Sequence, residues 1–416
     1  MSADWEIRRP AALGGLPVNL SEVEDAFHRL DTDFFELTEQ ALAVEPHPRI
    51  RALRAAAAAP FLLPVDPSAE LAVAEEMARQ PADESLVRAV QALVQQGPRA
   101  AVTHLVGHTE AFPGDLIAVF FRTSALLFCG EQGARDRAMT LLEADAGAHR
   151  GDWRWDGHLA MVRQEQRRHD EARELAASAL ESEPAAGNAV HVLAHVNYET
   201  GEHAAGLRWL DEWRDEHTVA VYEQHFVWHT TLHLLAMGDL NGALNRYTND
   251  IGPQDPINAG TLLWRCRLAG ADVRELGRQA VMGAQPILES LPAAFPVFNV
   301  CFALAAAEDV EGLGALCTRL EADDRPGFDD LVAPIVRGLM AAVEGRHGDS
   351  AAILMGVLDD LSRVGGSNAQ REVVEDTLVV ALVEAGEVGE ACSILENRLR
   401  RRPHAIDDNL LTKAAR

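Results

Sequence analysis

Lysine is almost absent from this sequence of 416 residues, in which Lys413 is the one lysine and arginine supplies the other cationic side chains. Lysine and arginine together number 37 against 64 acidic residues, and the formal net charge is -27. Binding to nucleic acid or to anionic lipid relies on an excess of positive charge. The sequence therefore predicts neither a nucleic-acid partner nor a membrane partner.

Paired cysteines and long apolar runs are missing as well. The five cysteines lie far apart and form no Cys-x-x-Cys pair, so neither a disulfide framework nor a thiolate zinc site is predicted. The longest apolar run, around residues 293–307, is too short to span a bilayer. The first residues lack the basic and apolar regions of a signal peptide. These features predict a cytoplasmic protein.

Several catalytic motifs are also absent, including the Gly-x-x-x-x-Gly-Lys nucleotide loop and the Gly-x-Ser-x-Gly nucleophile elbow. No segment alternates polar and apolar residues as a half-buried strand does. Hydrophobic residues make up 48% of the chain but aromatic residues only 6%. Because alanine and leucine dominate and both favour helices, we predict an all-α protein.

Capping and breaking residues predict where individual helices begin and end. The segment Ser21–Glu24 has the spacing of a capping box and predicts a helix start. The alanine-rich stretch 49–63 predicts a further helix. Towards the C-terminus, breaks are predicted at Gly270, Pro286 and Pro292.

Small residues recur with a period close to 34 residues, ending with one step of 37, at Ala138, Ala172, Gly206 and Ala243. Three of these are preceded, five residues earlier, by the turn residues Gly133, Gly201 and Gly238, whereas Arg167 precedes Ala172. Tetratricopeptide repeats are helix hairpins of this length with a small residue where the two helices cross. We predict one solenoid of such hairpins over residues 1–416, able to curl on itself, with the clearest repeats at about 118–250 and 370–404.

Two histidine stripes fall on consecutive first helices of these repeats. Residues four apart share one face of a helix, so His191, His195 and Glu199 form one stripe and His225, His229 and His233 form another. The repeat frame places both stripes on or near the concave groove, facing each other.

These residues resemble the tetratricopeptide repeat protein 38 family. The first motif that is similar is His191-x-x-x-His195-x-x-x-Glu199-x-Gly201 followed by His225-x-x-Trp228-His229. A second is the stretch Gly365-Gly366-Ser367-Asn368-Ala369-Gln370-Arg371, and a related tripeptide is Leu263-Trp264-Arg265. The resemblance extends over nearly the whole chain and implies an α-solenoid, while the activity of that family is poorly defined.

The chain also departs from the family pattern. The resemblance implies aspartate where this chain has Thr248 and Asn258, and aspartate and histidine where it has Val300 and Phe302. If those groups belong to a family active site, this chain has lost part of it or acts on a different substrate.

The first functional hypothesis is a pocket for a small anionic molecule, with acid–base catalysis by a histidine. Its predicted catalytic residues are His191, His195, Glu199, His225 and His229. Its predicted ligand-binding residues are Trp228, Arg265, Asn368 and Arg371. Arg371 opposes the helix dipole in a first turn, which indicates an anionic partner.

Two other hypotheses use the same groove. In one, the protein is an interaction scaffold that captures a peptide. In the other, it is a metal-dependent enzyme whose paired histidines hold a transition metal, with Glu199 as an additional oxygen donor. No cofactor is predicted and no residue is assigned as a metal ligand from the sequence. A further pair, His104 and His108, is predicted to lie at the surface.

Overall fold

The computed structural model describes residues 18–58, 65–217 and 223–415. Within these ranges every regular element is a helix and no β-strand occurs. The helices pack in neighbouring pairs along the chain, which confirms the predicted all-α solenoid. No described helix has the length and apolar character needed to cross a membrane.

The helices fall into three successive stretches of the chain. The N-terminal stretch contains α1 Leu20–Arg29, α2 Phe34–Val44, α3 Pro48–Ala58, α4 Pro67–Met77, α5 Pro81–Gln96, α6 Pro98–Ala111, α7 Leu116–Phe128 and α8 Ala134–Asp145. The middle stretch contains α9 Trp153–Glu165, α10 His169–Ser182, α11 Gly187–Glu199, α12 His203–Glu216, α13 Glu223–Ala236 and α14 Leu240–Arg246. The C-terminal stretch contains α15 Pro256–Leu268, α16 Arg274–Ser290, α17 Ala294–Ala306, α18 Val310–Glu321, α19 Ala333–Val343, α20 His347–Met355, α21 Asn368–Ala385, α22 Val388–Arg401 and α23 Ala405–Ala414.

The predicted turn residues adopt left-handed backbone conformations. The φ angles of Gly133, Gly201 and Gly238 are 71°, 81° and 80°. Arg167, at the equivalent turn, also has a positive φ of 61°, although a side chain disfavours that conformation. The turn geometry is therefore kept even where glycine is missing.

The predicted crossing positions bring paired helices close together. Ala138, Ala172 and Ala243 are fully or almost fully buried. At Gly206 a Cβ atom would lie 2.8 Å from the Cβ atom of Asn197 and 3.0 Å from a ring carbon of His233. Only glycine fits there without a shift of its neighbours.

The solenoid closes on itself through contacts between distant parts of the chain. Helix α1 packs against α11, α21 packs against α15, and α23 packs against α13. The side chain of Asn188 donates a hydrogen bond to the carbonyl of His28 at 3.0 Å. Arg363 donates to the carbonyl of Gly130 at 3.0 Å. Through these contacts, α1 at the N-terminal end and α23 at the C-terminal end both pack against helices of the middle stretch.

Some local predictions were wrong. Helix α1 is capped by the side chain of Asn19, which accepts from the backbone of Glu22, so the cap lies two residues before the predicted Ser21. Pro286 lies inside α16 rather than between helices. The residue four positions earlier, Met282, is 70% exposed, so a carbonyl that loses its helical partner there lies on the solvent side.

Only one of the two histidines that were predicted to lie at the surface does so. His104 is exposed, but His108 is completely buried and its Nε2 atom lies 3.0 Å from Asp115. The buried carboxylate is a hydrogen-bond partner for this imidazole and so offsets the cost of burying it. The predicted helix at 49–63 corresponds to α3. Residues 59–64, which include the end of that predicted helix and the proline expected to follow it, lie outside the described residues.

Candidate metal centre

Two first helices of adjacent repeats bring the four histidines together. Helices α11 and α13 pack against each other. His191 and His195 lie one turn apart on α11, and His225 and His229 lie one turn apart on α13. The two pairs are 34 residues apart, which is one repeat, so they reach equivalent heights on neighbouring helices. This confirms that the two stripes face each other.

The Nε2 atoms converge on one point. The Nε2 atom of His191 lies 2.9 Å from that of His225, 3.0 Å from that of His229 and 3.1 Å from that of His195. One ring nitrogen from each of the four residues lies within 4.8 Å of all the others. His195 and His229 are buried, while His191 and His225 are partly buried.

Hydrogen bonding alone does not account for these contacts. A neutral imidazole nitrogen carries either one hydrogen or one lone pair, directed in the plane of the ring. The Nε2 atom of His191 can therefore form one hydrogen bond, yet three other Nε2 atoms surround it at hydrogen-bond distance. At least two of these three contacts would then lack a hydrogen bond of good geometry. A cation at the centre would satisfy all four nitrogens.

The spacing suits a first-row transition metal. Zinc bonds to histidine nitrogen at about 2.0–2.1 Å, which places tetrahedral ligands roughly 3.3 Å apart. The three distances from the Nε2 atom of His191, 2.9–3.1 Å, are slightly shorter than this, and all four donor nitrogens lie within 4.8 Å of one another. Imidazole ligands also suit copper, iron and nickel, whereas calcium and magnesium prefer oxygen. The donor set therefore fits a transition metal, and the three distances from His191 are close to the ligand spacing of a zinc site.

Burial keeps all four imidazoles neutral. It lowers the pKa of His195 to about 3, and it lowers the pKa of His225 in spite of the hydrogen bond that His225 donates to Asn258, which acts in the opposite direction. The pKa values of His191 and His229 lie well below the ordinary range, first because of burial and then because of repulsion by the neighbouring histidines. Each ring therefore has a lone pair at neutral pH.

Asn258 and Asp255 form a chain of hydrogen bonds behind His225. The Nδ1 atom of His225 lies 3.0 Å from the side-chain oxygen of Asn258. The amide nitrogen of Asn258 donates to Asp255 at 2.6 Å. Asp255 also caps α15. Asn258, which departs from the family pattern, therefore contacts the histidine cluster directly.

The other departures lie away from the cluster's nitrogens. Thr248 is exposed and donates its hydroxyl to the carbonyl of Leu244 at 2.9 Å. Val300 and Phe302 are buried in the main hydrophobic core. Both of these side chains contribute to packing.

Trp228 and Arg265 stack beside the cluster. The ring of Trp228 lies parallel to that of His225 with their centroids 5.3 Å apart. The Arg265 guanidinium lies 5.8 Å from the Trp228 ring centroid. Arg265 also pairs with Asp376 at 2.9 Å and donates to the carbonyl of Ala369 at 2.7 Å. Trp228 therefore supports the face of a cluster histidine, and the charge of Arg265 is balanced within the chain.

The other predicted site residues bond to the protein itself. Arg371 pairs with Glu165 at 2.8 Å and shares a bond of that length with the side chain of Asn368. Glu165 also accepts from the backbone of Asn368 at 2.9 Å. Arg371 thus has an anionic partner, as its position on the helix indicates, and that partner is a carboxylate of α9. Ser367 and Gln370 form a capping box at the start of α21.

Glu199 takes part in a second buried cluster, which we call the ion-pair network. It pairs with Arg402 at 3.2 Å, and Arg402 in turn contacts Glu372 at 2.5 Å and the hydroxyl of Tyr198 at 3.1 Å. Burial is the main influence on Glu199 and raises its pKa, while Arg402 acts in the opposite direction. The full network comprises Tyr198, Glu199, Arg265, Glu372, Glu375, Asp376, Arg398, Arg402 and Asp407.

Three residues of these polar clusters were not predicted from the sequence: Glu165, Asp255 and Arg402. Asp255 stands three residues before Asn258 and directly before Pro256, which is the arrangement of a helix cap. This pattern would have allowed the position of Asp255 to be predicted. The separation of 34 residues between the two histidine pairs is a second pattern from which the site could have been predicted. Glu165 and Arg402 find their partners more than 200 residues away in sequence, and no local pattern marks them.

A comparison with protein-family models found no family that matches this chain.

Proposed function

We propose that this protein binds a transition metal ion, with zinc favoured, through the Nε2 atoms of His191, His195, His225 and His229. The convergence of three Nε2 atoms at 2.9–3.1 Å on the fourth carries the proposal. Because two ligands come from α11 and two from α13, the ion would join adjacent repeats. A shell of four protein ligands with no open position is typical of structural sites.

The other two hypotheses find less support in the described residues. Arg265 and Arg371 already pair with carboxylates, and the cavity beside Arg265 has a volume of about 30 Å³, the size of one water molecule rather than of a substrate. Helix α21 contacts residues of α9, α11 and α15 through Arg371, Glu372 and Asp376. It thus occupies the face where a peptide would bind.

Metal analysis of untagged protein, purified without chelator, tests the proposal. We expect about one zinc ion per chain in the wild type and none in H229A, with affinity measured by competition against a chromophoric chelator. The matched control is H233A, because His233 lies one turn further along α13 and is equally buried but contacts His203 instead. H233A should keep the metal. A metal-free wild type, or zinc retained fully in H229A, would contradict the proposal.

A second candidate, a metal-dependent enzyme, is favoured by one observation. His191 and His225 are partly buried, whereas the other two ligands are fully buried, and a further ligand could approach the metal from their side. Replacing zinc by cobalt distinguishes the two roles. An intense visible spectrum that azide leaves unchanged indicates a closed tetrahedral shell, whereas a spectrum that azide alters indicates an open position.

A further inference from the structure

We propose that Asp255 and Asn258 act as positioning residues for metal binding, by deciding which ring nitrogen of His225 carries the hydrogen. This inference rests on the proposed metal centre. Its evidence is the geometry of three side chains in a row, from the carboxylate to the amide to the imidazole.

Asp255 fixes the orientation of the Asn258 amide. A carboxylate can only accept hydrogen bonds. Asp255 accepts from the backbone nitrogen of Asn258 at 3.2 Å and from the side chain of Asn258 at 2.6 Å. The group of Asn258 that faces Asp255 must therefore be its NH₂, and its oxygen must point the other way.

The amide then fixes the tautomer of His225. The oxygen of Asn258 lies 3.0 Å from the Nδ1 atom of His225 and can only accept. Nδ1 must therefore carry the hydrogen. A neutral imidazole has one such hydrogen, so the Nε2 atom of His225 presents its lone pair to the point where the other three nitrogens meet.

His225 differs in this respect from the two buried ligands. The Nδ1 atoms of His195 and His229 are buried without a hydrogen-bond partner among the residues that the structure describes. His225 is thus held by a chain of side-chain bonds from α15, the first helix of the next repeat. Removing an outer hydrogen-bond partner of a metal-bound histidine typically weakens metal binding by about 10–100-fold.

The decisive comparison uses N258L, which removes the acceptor, and the exchange variant D255N/N258D, which restores it. In the exchange variant the amide of residue 255 can donate to the carboxylate at 258, which still accepts from His225. Asparagine also caps helices well, so the start of α15 is kept. We expect N258L to bind zinc about 10–100-fold more weakly than the wild type, and the exchange variant to recover most of that loss.

Two measurements separate positioning from a merely structural effect. The matched control is N299A, because Asn299 is a buried asparagine on the neighbouring α17 that bonds to the carbonyl of Phe295 at 2.8 Å. It should alter stability without altering zinc affinity. Nitrogen NMR of the metal-free protein should show the hydrogen of His225 on Nδ1 in the wild type and a mixture in N258L.

The failures are distinguishable. A wild type that binds no zinc would overturn the metal centre and this inference with it. A wild type that binds zinc, together with N258L of equal affinity, would overturn the positioning role alone. So would an exchange variant that folds but recovers no affinity.

Discussion

Helix α11 contributes to two buried polar clusters that differ in how their groups are satisfied. One turn of the helix supplies Tyr198 and Glu199 to the ion-pair network, where carboxylates and guanidinium groups alternate. The preceding turns supply His191 and His195 to the histidine cluster, where four groups of one kind meet. Each charged group of the network has a partner of opposite charge within the chain, whereas the four imidazoles of the cluster would share the metal ion that we propose.

The difference shows that burial alone does not mark a binding site. Arg398 and Arg402 are as buried as the histidines, yet each contacts two or more carboxylates. Buried charges that are paired in this way hold distant helices together. A site is indicated where the donors and acceptors of a buried cluster do not balance.

The largest expected effect comes from breaking the network. R402M leaves Glu199 and Glu372 buried without their nearest positive charge, and the loss of one partner from a buried pair costs about 3–5 kcal/mol. We expect the free energy of unfolding in urea to fall by that amount with and without zinc. Zinc affinity should stay at the wild-type value, because Arg402 contacts none of the four histidines.

The control for this experiment is an exposed ion pair. Arg337 and Glu321 lie 2.8 Å apart with both side chains nearly half exposed, so R337M should cost less than about 1 kcal/mol. Equal losses in R402M and R337M would show that the network contributes no more than a surface pair.

A smaller effect is expected from a buried histidine outside both clusters. His28 is 1% exposed and touches Phe27, Phe120 and Trp153 edge-on. Burial lowers its pKa to about 3. The unfolded chain, with the ordinary value near 6.5, then binds more protons between these two pH values, so stability falls as the pH drops through this range.

The test compares the wild type with H28F at two pH values. From pH 7 to pH 5 the wild type should lose about 2 kcal/mol more than H28F, since His28 contributes roughly 1.4 kcal/mol per pH unit below 6.5. Urea unfolding measures both losses. Identical pH dependence in the two proteins would contradict the assignment.

The smallest expected effect concerns Glu199, which the sequence placed in line with the histidines as a possible oxygen ligand. In the structure it pairs with Arg402 instead. E199Q should therefore change zinc affinity by no more than about twofold, whereas a metal ligand or its outer partner would give about 10–100-fold. Chelator competition measures the difference, and a large loss would assign Glu199 to the metal centre.

The sequence predicted the helical class and much of the repeat pattern because these depend on local spacing. Turn residues such as Gly201 and small residues such as Gly206 have conformational and steric requirements that few other residues meet. The facing histidine pairs were predictable for the same reason, since a helical turn and a repeat length together fix their relative heights. The roles of Arg265 and Arg371 were not predictable, because each has a carboxylate partner far along the chain.

What the sequence by itself determined is therefore the part of the protein that follows from periodicity: helices, hairpins, and two histidine stripes on adjacent repeats. The tertiary structure alone decided which polar groups are balanced. Closure of the solenoid brings Arg402 to Glu199 and Arg371 to Glu165 across about 200 residues of sequence. It thereby gives these buried charges their partners, whereas the four imidazoles form the cluster for which we propose a cation. Sequence spacing could not show this, because charge balance depends on distances in space.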